Sequence, residues 1–273
     1  MYWLEHAPIW LVGLVIFVGL VVAELAGFWV GRLAAARKSP DSKSDGTGYL
    51  LSAMLGLLGL LIAFTFGAAA SRFDMRRTLV RDEANAIGTT YLRIQTLDEG
   101  PRDALGRLMV EYVGVRKTSA AGSEDEAKLS QADAQTNDIE QRIWDQIVPA
   151  VRAQPNSTLN APLLETTNEM FDLANSRRLA LEARVPITIV RALLIYFVAA
   201  AWILGYALAP GGRRVVASGA LFLVLALAFV LILDLDRPSS GRIRVSQEPI
   251  LRIAASIEAS EAARHAAPPA GEK

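Results

Sequence analysis

The chain has 273 residues, of which 52% are hydrophobic and 21% charged, with 28 Lys+Arg balanced by 28 Asp+Glu. This balance excludes a disordered chain, which combines low hydrophobicity with high net charge, and a nucleic-acid binder, which carries a basic excess. The absence of cysteine removes thiol nucleophiles and thiolate metal sites, and His6 and His265 stand too near the ends to anchor His-based catalysis.

A mean hydropathy of +0.29 at ordinary charge content requires that apolar residues be segregated. Four runs are long enough to cross about 30 Å of hydrocarbon as a helix, which takes roughly 20 residues. The first span is predicted over 7–31, interrupted by Glu24 and ended by Arg32. Its first residues carry no Lys or Arg and its apolar stretch is too long for a cleaved leader, so it reads as a retained span. Glu24 lies one or two turns from the predicted end, where a carboxylate can reach the interface. A polar loop is expected over 32–48, followed by a second span over 49–71 ending at Arg72.

Residues 72–186 form a polar, helical domain with no strand periodicity. The stretch Phe73–Leu97 continues span two without a turn signal, so one helix is expected to leave the membrane and enter water. Glu99-Gly100-Pro101 restarts the chain in a helix carrying Leu105, Leu108, Met109 and Tyr112 at helical spacing. A small, acidic loop follows over Thr118–Glu126. Two more helices carry Ile139, Ile143, Ile147 and Val151, then Leu163, Met170, Leu173 and Leu181. A third span is expected over 187–209, with Arg191 at its mouth as an interface anchor, then a tight turn over 210–214 and a fourth span over 215–235. Residues 236–273 read as a tail, helical and then disordered. The fold class is thus an all-α membrane protein with four transmembrane helices and a helical bundle between spans two and three.

Arginines at the membrane junctions set the expected topology. Arg72, Arg76, Arg77, Arg81, Arg177, Arg178, Arg184, Arg237, Arg242, Arg244 and Arg252 lie on the side shared by both termini and the large domain. Arg32, Arg37, Lys38, Lys43, Arg213 and Arg214 lie on the other. Eleven against six places the termini and the domain in the cytoplasm, with the spans in the inner membrane.

Span two carries the candidate site. Gly56, Gly59, Ala63 and Gly67 make one side small, which permits close helix approach. Leu60, Phe64 and Ala68 follow at i, i+4 and i+8 and lead to Arg72. This face serves either helix packing within one chain or a hydrophobic constriction lined by several copies around an axis. Farther along, Asp82, Glu83 and Asn85 occupy either a solvated helix face or a ring of carboxylates along an ion path. Asp234 and Asp236 are placed to bind backbone donors around Pro238 and the following Ser-Ser-Gly turn. Arg237 reads as a charge paired inside the fold. Nothing matches a phosphate-binding loop, a nucleophile elbow or a zinc helix, so neither an enzyme, a cofactor nor a metal site is expected.

Several stretches together resemble the bacterial bestrophin-like membrane domain and, less closely, bestrophins. These are Leu-x-Gly followed by Phe64-Thr-Phe66-Gly67 and Arg72-Phe-Asp74-x-Arg76, then Arg81-Asp-Glu-Ala-Asn85-Ala-Ile-Gly88 before Tyr91-Leu92. Asp234-Leu-Asp236-Arg237-Pro238-Ser-Ser-Gly241 and Ser246-Gln-Glu-Pro249 complete the pattern, over Leu50–Leu251. The resemblance implies a pentameric ion channel in the lipid bilayer, with copies of span two around the pore and the intervening domain forming a vestibule. Leu60, Phe64 and Ala68 then occupy the neck, where Ala68 is smaller than the bulky side chain of the channels. Asp234 and Asp236 are too few to form the calcium clasp of animal bestrophins, which needs six to eight oxygens. A second reading is a non-conducting scaffold that offers its apolar stripes, Ile139–Val151 and Leu163–Leu181, to a cytoplasmic partner.

Overall fold

The computed structural model describes residues 7–36, 47–120, 126–209, 215–238 and 241–266. Among these the chain forms eight helices and no strand: α1 (Ile9–Ala36), α2 (Thr47–Ile94), α3 (Glu99–Ala120), α4 (Glu126–Ala153), α5 (Asn160–Glu182), α6 (Ile187–Leu208), α7 (Val215–Asp236) and α8 (Glu248–Ala266). The expected turn over 210–214, most of the 32–48 loop and the end of the tail lie outside the described residues. The chain divides into two compact units, residues 1–73 with 184–244 and residues 74–183 with 245–273.

The first unit holds the apolar helices. Four helices are long and apolar enough to cross a membrane. α1 continues past Gly31 to Ala36, because Leu33-Ala34-Ala35-Ala36 are good helix formers and Arg32 has a place over the Phe28 ring, 6.0 Å from its centroid. The core is aromatic and aliphatic, with Leu20, Leu58, Phe197, Phe222 and Phe229 buried and Phe197 meeting Phe229 edge to face at 5.8 Å. Trp10, Leu14, Val18, Val22 and Trp29 of α1 point away from it.

Close approach in this unit occurs where α1 crosses α6. A Cβ on Gly27 would lie 1.9 Å from the carbonyl oxygen of Trp202, and one on Gly205 would lie 1.9 Å from that of Glu24. Only glycine leaves room for the two backbones. Glu24 is buried at this crossing, 2% exposed, instead of reaching outward as its position in the sequence suggests. A Cβ on Gly56, Gly59 or Gly67, the glycines that the sequence marked for close packing, would meet no other helix within 4 Å among the described residues. The small side of span two is therefore unfilled among the described residues.

The second unit is a bundle of the remainder of α2 with α3, α4, α5 and α8. Ile87, Ile94, Leu105, Met109, Tyr112, Ile143, Ile147, Met170 and Ile257 form its core. Of the helical stripes Ile139–Val151 and Leu163–Leu181, Ile139, Ile143, Ile147, Leu163 and Met170 are buried there, Val151 and Leu173 are half-buried, and Leu181 is exposed. The helix expected in the tail is α8, which packs into the bundle because Ile250, Ala254 and Ile257 recur on one face and bury fully. Its far end is tied by the Tyr91 hydroxyl, which donates to Glu261 Oε1 at 2.7 Å, and by Lys117, which donates to Glu258 at 2.9 Å.

Candidate functional site

α2 is one uninterrupted helix from Thr47 to Ile94, as the absence of a turn signal after span two predicts. Its periodicity of about 100° per residue sorts its side chains into faces. Leu58, Thr65 and Ala69 are buried on one side, and Leu60, Phe64, Gly67 and Ser71 are exposed on the other. Phe64 is 68% exposed among the described residues, large for a phenylalanine. Ala68 is exposed about 80° from Leu60 around the helix, and Arg72, half-buried, stands at about 120°. Gly67, not Ala68, continues the line of Leu60 and Phe64. In the second unit, Thr78, Asp82 and Asn85 share one side of the helix.

Glu83 is not on this face. It is fully buried, its Oε1 accepting from Arg116 Nε at 2.5 Å and its Oε2 from Arg177 Nη1 at 2.7 Å. It therefore belongs neither to a solvated face nor to a carboxylate ring. Its neighbours foretell this: Val80, Ala84, Ile87 and Ile94 share the inward side of α2, and Glu83 falls among them. A carboxylate in an apolar stripe must be paired, because the cost of its desolvation has to be offset by opposite charge. Arg177 also donates through Nη2 to Gln247 Oε1 at 2.6 Å, tying the segment before α8 to the same centre. The sequence reading missed Arg116, Arg177 and Gln247, whose partners are distant in the chain.

Around this centre the electrostatics are layered. Burial opposes the charge of Arg116, but Glu83, Tyr112 and Glu140 together outweigh it and leave the guanidinium more basic than usual. Burial pushes the Tyr112 phenol well up. Glu140, 3.4 Å from the Tyr112 hydroxyl, is raised by burial to about 7, although Arg116 pulls the other way.

Asp82 and Asn85 remain at the surface, Asp82 half-exposed and paired with Arg81 at 3.2 Å. At the end of α7, Asp234 accepts from the backbone N–H groups of Arg242 at 2.7 Å and Ile243 at 3.1 Å. Asp236 instead accepts from the Val185 N–H, at 2.9 and 3.1 Å to its two oxygens. Arg237 donates to the Ala7 carbonyl at 3.0 Å, while Pro238 follows it in the turn. These groups secure the helix end and its connections. Among the described residues no cluster of His, Asp and Glu could hold a metal ion.

The sequence profile of the bestrophin-like domain matches residues 18–250. Among curated proteins no sequence matches the chain. Solved structures share its fold. A bacterial bestrophin homologue from Klebsiella pneumoniae carrying a point mutation aligns at a TM-score of 0.64 and 16% identity, covering 91% of this chain and 98% of that one. Another structure of that homologue aligns at 0.64 and 16%, over 96% of this chain and all (100%) of the other. A structure of a membrane protein with a different point mutation aligns at 0.63 and 14%, over 93% and 100%.

Proposed function

The chain belongs to the bestrophin-like family, and from that premise we propose that it is an oligomeric ion channel whose pore is shared between copies of α2. It is a membrane protein by its apolar helices and its family. The observation that carries the channel reading is the open face of α2. Leu60, Phe64, Gly67 and Ser71 form an uncharged strip that is exposed among the described residues, whereas the glycines of α1 are consumed by α6. When several copies surround an axis, this strip faces the axis, and Leu60 and Phe64 make a hydrophobic constriction that gates by dewetting. Ala68 and Arg72 stand to its side. Ala68 contributes close packing there, and Arg72 places positive charge beside the end of the constriction.

In the bundle, α2 carries Asp82 and Asn85 on one side, polar groups suited to ions in an aqueous vestibule. The assembly is a pentamer by its resemblance to bestrophins. Arginine bias at the membrane junctions puts the termini and the helical domain in the cytoplasm, with the spans in the inner membrane. The scaffold alternative keeps only the ends of its stripes, because Ile139, Ile143, Ile147, Leu163 and Met170 are buried in the bundle while Leu181 is exposed.

Purified protein tests this in two steps. Its mass in detergent should be several times that of one 29.5 kDa chain, and planar bilayers should show unitary currents altered by Phe64→Ala. A monomer, or bilayers that stay silent, would overturn the reading.

A further inference from the structure

The bundle has two flanks of opposite charge, and α2 lies between them. With Thr78 as reference, Asp82, Asn85 and Thr89 fall within about 40° of it on the open side of α2. The contacts of α2 with α5 lie about 120–160° to one side: Arg76 donates to the Ala180 carbonyl, Glu83 pairs with Arg177, and Thr90 donates to the Thr166 carbonyl. Its contacts with α8 lie about 80–140° to the other. There Gly88 faces Ile253, and Tyr91 bonds Glu261. The helices α5 and α8 thus flank the open strip on opposite sides.

Their surfaces differ. On the α8 side a groove of about 880 Å³ carries Arg77, Arg81 and Arg252 with Asp74 and Glu248, three basic groups against two acidic, and it borders the open strip at Thr78 and Asn85. Arg81 and Arg252 are free to reorient, with side chains 65% and 78% exposed, although Arg81 touches Asp82 and Arg252 touches Glu248. On the α5 side a hollow of about 510 Å³ carries Glu165, Glu169 and Asp172 and no basic residue. Those carboxylates point away from the buried face of α5, which is marked by Leu163, Met170 and Ala174.

We propose that the arginine groove beside α8 of one copy receives the acidic face of α5 of the next, in a head-to-tail ring with the open strip of α2 inward. Rotation about an axis brings one flank of a copy against the opposite flank of its neighbour. A two-fold dimer through α5 would instead set carboxylates against carboxylates, which is repulsive. The inference rests on the homo-oligomer reading and names the surfaces that hold the oligomer together.

Charge reversal in the full chain tests it. Arg77→Glu with Arg81→Glu, or Glu165→Lys with Glu169→Lys, should raise the dissociation constant of the detergent-solubilised oligomer at least tenfold at unchanged helicity. The fourfold combination should restore assembly. Because the chain has no cysteine, Arg81→Cys with Glu169→Cys can be bridged by a bis-maleimide, and the account expects a ladder beyond dimers. A wild-type oligomer that ignores both reversals, or a ladder that stops at dimers, overturns this inference and leaves the channel reading standing. A monomeric wild type overturns both. If the arginine reversal abolishes binding to phosphatidylglycerol vesicles while assembly persists, the groove is a lipid site and the proposal is likewise overturned.

Discussion

The two units solve the problem of burying polar groups in opposite ways. The unit of apolar helices brings backbones together through Gly27 and Gly205, and it places Asp234 and Asp236 on main-chain donors. The helical bundle places a carboxylate between two guanidinium groups in the middle of its core, with a tyrosine and a second carboxylate beside them. In the first, stability depends on what is missing, a Cβ; in the second, on charges that must all be present. Mutations should separate the two.

Removing the central carboxylate has the largest expected effect. Glu83→Ala leaves Arg116 and Arg177 buried without their partner, and losing one member of a buried ionic set costs about 3–5 kcal/mol. Denaturant unfolding of the purified protein should show this loss, and an effect under about 1 kcal/mol would mean that water or another group compensates. Gly205→Val comes next. Its Cβ would meet the Glu24 carbonyl at 1.9 Å, and because that obstacle is backbone the helices must separate, at about 3 kcal/mol, the top of the usual overpacking range. The matched control is Gly67→Val, whose Cβ meets no other helix among the described residues and which should change the stability of the chain by less than about 0.5 kcal/mol. Equal losses at Gly205 and Gly67 would erase the distinction between the used and unused small faces.

A smaller, pH-dependent effect belongs to the bundle alone. Glu140 faces Tyr112 and Arg116 of α3, Glu83 of α2 and Asp172 of α5, and burial lifts its pKa from 4.5 to about 7. Between those values the folded bundle holds a proton that the unfolded chain releases, so the contribution is full below pH 4.5 and is lost as pH rises to about 7. Glu140→Gln should flatten that part of the stability profile. An unchanged slope would assign the titration to another group.

The sequence made the helices legible because uncharged runs and helical spacing are local signals. The continuity of α2 was legible for the same reason, since no Pro lies between span two and Glu99. Pairings across the chain were not. Glu83 and Arg177 are 94 positions apart, and no local pattern announces their contact. The inward phase shared with Val80, Ala84 and Ile87 would have flagged Glu83 as buried, though not named its partners. The glycines show the same limit. Composition marked span two as small, but which small face is filled depends on which helix lies opposite, and α6 lies against α1. The docking of α8 was equally nonlocal, because Glu261 meets Tyr91 across 170 positions.

The central claim is that the open face of α2 lines an ion path, and the absence of cysteine permits a direct measurement. Phe64→Cys, reconstituted in a planar bilayer, should lose current when a charged methanethiosulfonate reagent is added. Val18→Cys, on the outward face of α1, should not respond. Current through Phe64→Cys that is indifferent to the reagent, or equally sensitive at both positions, would contradict the assignment of this face to the pore.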